Sequence, residues 1–364
     1  MRKYDIKEFA IVPPPYGGVS VYVRRLIKQL SRDGYKVGAF YEQSCVDYGI
    51  KCSPLYDKWL WMQTSLLPIK LWRYLKIVAA YKIVHSHFSL EGMAYLWFIK
   101  FLGRKKIIIT IHNSMILNYY SSTNVVNRFF LKKMLRSREV VWITVSEQGK
   151  EQLLNLPVKP STPVYVIPPY VPAIDEEQAP LSKDMQQYID HHKKNIAFYG
   201  HCFMRNGGRD VYGFKTIIKL YSKLSKISDI GLVLCLSDNN DPDGLFDLKE
   251  YSKDLGVLDK IYWQIGAIDN IRLLWKEVDV YVRPTSTDGD SVAVREALDE
   301  GTVVVASDVC DRPQGVALYK YGNDDDLYEA VKSNLNGKRS VGTPNMDYYI
   351  MMKDIYDKEL NKKV

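Results

Sequence analysis

The stretch 280–308, VYVRPTSTDGDSVAVREALDEGTVVVASD, constrains the fold more than any other part of the chain. An apolar run at 278–282 reads as a strand. It breaks into a polar loop at 284–290 built from Pro, Thr, Ser, Asp and Gly. Ser291 is placed to cap a short helix running to Glu300, and Gly301 is the expected stop. A second apolar strand follows at 303–306. Strand, loop, helix, strand is a βαβ unit, which commits the chain to parallel strands and an α/β class. The loop ends at a helix N-terminus, where free backbone N–H groups and the helix dipole favour anionic or oxygen-rich ligands. Asp288 lies in that loop and Glu296 one to two turns into the helix, so both carboxylates can border one cavity at different depths. The local pattern alone also fits an ordinary βαβ unit with a solvated acidic loop.

The spacing of Asp288 and Glu296 resembles the acidic pair of retaining nucleotide-sugar glycosyltransferases with the GT-B fold, and above all those of family 4, which includes many enzymes of bacterial polysaccharide synthesis. The resemblance implies two Rossmann-like domains with parallel sheets facing a central cleft. It implies that Asp288, Gly289, Asp290, Ser291 and Val292 face the donor sugar, Asp288 at the catalytic centre, and that Glu296 binds the ribose hydroxyls. Asp288 stands where the family has Glu, which shortens the reach by one methylene. Asp290 stands where an aromatic is usual, which adds a charge beside the sugar.

The rest of the chain is read against that resemblance. Residues 8–12 form the first strand, followed by PPPYGG and a helix capped by Ser20. Gly17 and Gly18 resemble the glycine-rich first loop of GT-B enzymes, where bare backbone admits the donor phosphate and the acceptor. The strand at 107–111 delivers His112 at its carboxyl end, over the crevice of a parallel sheet. His112 matches the family histidine that contacts the donor sugar near the reaction centre. His85 and His87, on the strand at 83–88, are structural or acceptor-side groups. A metal site on the two histidines is not expected, for want of nearby carboxylate or thiol ligands. In the second half, a glycine that ends a strand, Gly200, is followed by His201 where the family has Arg. Arg205 and Arg209, flanking Gly207-Gly208, are the cations available for the donor diphosphate. Asp324, Asp325 and Asp326 read as caps at a helix start rather than a metal motif. The domains are then 1–172 on the acceptor side and 195–340 for the nucleotide sugar, with 173–194 as linker and a helix at 345–363 that, by the resemblance, returns to the first domain.

Charge is uneven. Residues 1–172 carry 25 Lys/Arg against 10 Asp/Glu, +15, and residues 173–364 carry 25 against 32, −7. Two segments, 58–82 with three Trp and no acid, and 128–138 (RFFLKKMLRSR), combine basic and aromatic side chains as a helix on an anionic membrane surface would. No run of 18 apolar residues is present, the opening MRKYDIKEFAIV lacks a signal-peptide core, and the five scattered cysteines form no disulfide or metal pattern. The expectation is a cytoplasmic glycosyltransferase, peripheral at the inner face of the membrane. Its partners are a nucleotide-sugar donor and a lipid-linked or saccharide acceptor, with no cofactor, no metal and no nucleic acid. An epimerase of the same fold or a non-enzymatic nucleotide-sugar-binding protein are the alternatives.

Overall fold

The computed structural model describes residues 4–10, 17–41, 52–54, 81–87, 93–103, 105–112, 116–173, 180–206, 208–268, 271–337 and 345–361. All but the last two residues of the basic, Trp-containing segment 58–82 lie outside them. The chain divides into two compact units, one of residues 1–172 with 345–364 and one of residues 173–344.

In the first unit the elements are β1 (Tyr4–Phe9), α1 (Gly18–Arg32), β2 (Val37–Tyr41), β3 (Cys52–Pro54), β4 (Tyr81–Ser86), α2 (Met93–Gly103), β5 (Lys106–Ile111), α3 (Ile116–Ser122), α4 (Val125–Leu135), β6 (Val140–Thr144), α5 (Glu147–Leu154) and β7 (Val164–Val166). The strands form a parallel sheet of order β3-β2-β1-β4-β5-β6-β7. Its two faces differ. Val84, Ile107, Ile109, Ile111, Val140 and Trp142 point to one side and pack against Met93, Leu96, Leu131, Met134 and Leu153 of α2, α4 and α5. The alternate positions, His85, His87, Thr110 and His112, point to the other side because side chains repeat every two residues along a strand.

Two expectations need correction. The first strand runs over Tyr4–Phe9, not 8–12. Its charges hid it: Lys7 and Glu8 are both fully buried, Lys7 donating to the Tyr81 hydroxyl at 3.1 Å. Ser20 is not the cap of α1. Gly17 holds that position in extended backbone, and the Ser20 hydroxyl, three residues on, accepts from the Gly17 N–H at 2.9 Å and donates to the Gly17 carbonyl at 2.9 Å.

The second unit contains α6 (Lys183–His191), β8 (Lys194–Gly200), the short hairpin β9 (Arg205–Asn206) and β10 (Arg209–Asp210), α7 (Phe214–Leu224), β11 (Ile230–Leu236), α8 (Pro242–Asp254), β12 (Ile261–Ile265), α9 (Ile271–Glu277), β13 (Val280–Arg283), α10 (Val292–Asp299), β14 (Val303–Ser307), β15 (Val316–Tyr319) and α11 (Asp324–Asn334). Its parallel sheet has the order β12-β11-β8-β13-β14-β15. Both faces are apolar. Phe198, Leu232, Leu234 and Val282 pack against Phe214, Ile217 and Tyr221 of α7, and Ala197, Val233, Tyr281 and Val304 against Met185, Trp275 and Val294 of α6, α9 and α10. Such a doubly covered sheet explains the nearly unbroken apolar strands in the sequence. Asp324, Asp325 and Asp326 occupy the first turn of α11, where the Asn323 side chain accepts from two backbone N–H groups. The last helix, α12 (Asp347–Asn361), belongs to the first unit and buries Tyr349, Met352, Ile355 and Tyr356 there.

Gly200 is required by packing. A Cβ on it would stand 2.3 Å from Cζ of the buried Phe214 ring. Gly200→Ala is expected to destabilise the second unit by about 1–3 kcal/mol through overpacking. Urea unfolding checks this, and an unchanged midpoint would contradict the packing.

Candidate active site

In the second unit the site is built where β13 ends. The strand continues one residue further than its apolar run suggests, so Arg283 is its last, buried residue. The Arg283 guanidinium grips Asp288 with both arms, Nε to Oδ2 at 3.0 Å and Nη2 to Oδ1 at 3.3 Å. Arg312, in the segment after β14, adds Nη1 to Oδ2 at 2.8 Å and also donates to the Thr285 hydroxyl at 3.1 Å. Loop 284–291 is therefore closed on itself by one carboxylate and two guanidiniums. It is tied down further by Ser286 N–H to the Val211 carbonyl at 2.9 Å and by the Ser307 hydroxyl to the Thr285 carbonyl at 2.7 Å. Burial alone would raise the pKa of Asp288, but the two guanidiniums outweigh it and bring it from 3.8 to about 2.

The other acids of the loop are also accounted for. Asp290 does not present a bare charge: Arg295, one helical turn into α10, pairs with it at 2.6 and 2.5 Å. That fork neutralises the charge expected beside a sugar. Ser291 caps α10, its hydroxyl accepting from the Val294 N–H at 3.4 Å. Val292 and Glu296 are buried on α10. Gly289 lies between the two paired aspartates, its N–H reaching Oδ1 of Asp288 at 3.2 Å.

Arg205 and Arg209 lie on the hairpin and are exposed. The register pairs Arg205 with Asp210 and Asn206 with Arg209. Paired residues share a face and adjacent residues alternate, so the two arginines project from opposite faces of the ribbon. One bound anion cannot be shared equally between them. The hairpin is tied to the start of α7: Asp210 accepts from the Tyr212 and Phe214 N–H groups at 3.0 and 2.6 Å.

In the first unit, register builds a chain of polar groups on the face that α12 helps to cover. Glu8 of β1 is paired in register with His85 of β4. His87, two residues on, donates from Nε2 to Glu8 Oε2 at 2.9 Å. Its Nδ1 lies 2.9 Å from Nε2 of His112, just past the end of β5. The Tyr356 hydroxyl of α12 reaches Glu8 Oε1 at 2.8 Å and His85 Nδ1 at 2.5 Å, and His85 Nε2 meets the Thr110 hydroxyl at 2.7 Å. Tyr22 of α1 packs edge-on against both the His87 and His112 rings. Burial alone would raise the pKa of Glu8, but interactions with His85 and His87 hold it far below the carboxylate range. Burial depresses His87 to about 4, and His112 well below its ordinary value. The expectation that no carboxylate stands near the histidines is thus wrong, because Glu8 comes from a different strand. Glu8, His85 and His87 each offer a ligand atom within 4.8 Å of the others. Those atoms are joined by hydrogen bonds, and both nitrogens of His85 and of His87 are engaged. Gly17 and Gly18 open α1 in this same unit.

Residues 16–173 match Glycosyltransferase Family 4. Sucrose-phosphate synthase from Thermosynechococcus elongatus superposes with a TM-score of 0.70 at 17% identity, covering 98% of each chain. HepE of Anabaena, solved with UDP and glucose, gives 0.72 at 13% identity over 98% of this chain and 100% of that one. WaaG, a glycosyltransferase involved in lipopolysaccharide biosynthesis, gives 0.63 at 12% identity over 98% and 95%. No curated protein matches by sequence. The fold is GT-B, and the part of the chain that resembles Glycosyltransferase Family 4 by sequence is residues 16–173.

Arg283, Arg312, Arg295, Glu8 and Tyr356 were not legible as site residues. Arg283 carried a signal, a cation closing an apolar strand beside the acidic loop. Replacing Asp288 by Asn would leave two buried guanidiniums without their counter-charge, and a loss of about 3–5 kcal/mol is expected. The pH dependence has a definite sign. A carboxyl depressed when folded contributes stability above its unfolded pKa and loses it as pH falls through the folded value, so this contribution fades between 3.8 and about 2. Guanidinium unfolding of both proteins across that range checks it; equal stability at neutral pH would contradict the clamp.

Proposed function

We propose that the chain is a retaining glycosyltransferase that moves a sugar from a nucleoside-diphosphate sugar to a lipid-linked saccharide acceptor, in cell-surface polysaccharide synthesis. The observation that carries the donor half is the braced loop 284–291 feeding the N-terminus of α10, with Glu296 buried on that helix. In this reading, the amides of Gly289, Asp290, Ser291 and Val292 orient the sugar and Glu296 accepts hydrogen bonds from the ribose. One hairpin arginine, Arg205 or Arg209, holds the diphosphate. Asp288 serves by keeping the loop in shape between two guanidiniums rather than by reaching the sugar with a free carboxylate. His112 contacts the sugar near the reacting carbon, and Gly17 and Gly18 leave backbone open at the start of α1. As the bond from the anomeric carbon to the phosphate oxygen breaks, the acceptor oxygen attacks from the same face. Its proton passes to the departing phosphate, and configuration is retained.

The acceptor half rests on surface chemistry. On α4, Leu131, Met134 and Leu135 are buried, while Val125, Val126 and Phe129 are exposed. Lys133 lies over the Phe129 ring, and Phe101 of α2 is exposed and stacked on Trp97. Apolar side chains framed by cations, on the half of the chain carrying +15, suit peripheral docking to an anionic inner-membrane surface and a lipid-linked acceptor. Among the described residues no helix is long and apolar enough to cross a membrane.

The direct experiment offers a panel of nucleotide sugars and follows nucleoside-diphosphate release with and without lipid-linked acceptor in anionic vesicles. Release that needs both a specific donor and the acceptor, with retained anomeric configuration, supports the reading; no transfer from any donor, or an inverted product, contradicts it. The hairpin geometry adds a sharper expectation. Of Arg205→Ala and Arg209→Ala, one should weaken nucleoside-diphosphate binding by roughly 1.5–3 kcal/mol, the scale of a hydrogen bond to a charged group, and the other far less. Calorimetry showing equal losses would mean that both arginines reach the same anion.

A further inference from the structure

The chain Glu8–His87–His112 has a direction, and that direction ends at an atom with no partner among the described residues. Glu8 is a fully buried carboxylate and can only accept. His87 therefore carries its proton on Nε2, which it donates to Glu8 at 2.9 Å. A neutral ring has one N–H, so the Nδ1 of His87 is bare and must accept the contact at 2.9 Å from His112. That fixes the proton of His112 on Nε2 and leaves its Nδ1 as a lone pair. Nδ1 of His112 is buried and has no hydrogen-bond partner among the described residues. Both histidines are held neutral near pH 7, since burial lowers each pKa. The side branch agrees with this polarity. Tyr356 spends its only proton on Glu8 Oε1, so His85 Nδ1–H is shared between the Tyr356 oxygen at 2.5 Å and Glu8 Oε2 at 3.2 Å, and its bare Nε2 accepts from Thr110. Every donor and acceptor in the network has one consistent assignment, except the bare nitrogen at its end.

We infer that Glu8 and His87 are positioning residues that lock His112 in the Nε2–H tautomer, so that its Nδ1 accepts a hydrogen bond from a hydroxyl of the carbohydrate substrate. A buried acceptor without a partner is costly to hold in the folded chain, and a ligand hydroxyl satisfies it. The opposite tautomer would present an N–H, which a carbohydrate hydroxyl could meet only with its oxygen. The relay selects which way the substrate hydroxyl points. Tyr22, packed edge-on against both rings, restricts their tilt and preserves the line of hydrogen bonds. This inference rests on the glycosyltransferase reading for the nature of the ligand, but the tautomer itself does not.

The test has two readouts. The first is nitrogen-15 NMR of the histidine rings in the full-length protein without substrate, where two-bond couplings distinguish the tautomers. His112 and His87 should both show Nε2–H and a bare Nδ1; a proton on Nδ1 of His112 overturns the inference whatever the enzyme does. The second is turnover. His87→Gln retains an amide donor for Glu8 and a carbonyl acceptor for His112, and should keep the His112 tautomer and most of the activity. His87→Leu keeps neither, and is expected to lose activity by about 10- to 100-fold while circular dichroism remains native. The substrate whose KM rises in His87→Leu, donor or acceptor, identifies the source of the hydroxyl. If His87→Leu fails to fold, His87→Gln decides alone: a scrambled His112 tautomer with full activity overturns the inference, and a retained tautomer with activity supports it. Failure of transfer from every donor while the tautomer stands as expected would count against the glycosyltransferase reading and not against the relay.

Discussion

A single buried carboxylate organises the first unit. Glu8 is charged and fully enclosed in a central strand, a position that is tolerable only when its oxygens are filled by donors. Parallel register supplies one donor by placing His85 beside it, and the period of two supplies another at His87. The third comes from Tyr356, 348 residues away, which stitches α12 to the sheet. The same requirement explains why charged β1 lies mid-sheet: exchanging Glu8 for an apolar residue would strand three polar partners at once.

The second unit repeats the device with permanent cations as the donors. Asp288 stands between Arg283 and Arg312, and Asp290 is forked by Arg295. A polar loop beside a helix N-terminus would ordinarily be mobile. Here each acid is spoken for by a cation from the strand, the helix or the following segment, so it is the backbone amides at the start of the helix, rather than the carboxylates, that suit a ligand. Rigid placement of those amides is what a binding loop needs, because donors fixed before the ligand arrives cost no reorganisation when it binds.

Local features were legible in the sequence and distant ones were not. The βαβ unit around 280–308, its Ser291 cap and the delivery of His112 by an apolar strand follow from patterns spanning fewer than thirty residues. The start of β1 was hidden because Lys7 and Glu8 read as solvent-facing, and their burial depends on Tyr81, His85 and His87, which only the sheet register brings near. Ser20 looked like a cap, but Gly17 three residues earlier takes the extended backbone and leaves Ser20 to bond back to it. The partners of Asp288 were split in the same way: Arg283 is five residues away and Arg312 twenty-four, and no periodicity links them. The opposite faces of Arg205 and Arg209 required the pairing of a two-residue hairpin, which composition cannot specify.

Hydrogen–deuterium exchange with and without a nucleotide sugar tests the central claim, that the braced loop and the first turns of α10 hold the donor. Slowed exchange is predicted at the amides of Gly289 to Glu296 with bound donor, and the free nucleoside diphosphate should protect the Glu296 end while leaving the Asp288 end close to its unliganded rate. Protection confined to other elements, with unchanged exchange across residues 284–299 under saturating donor, would contradict the account.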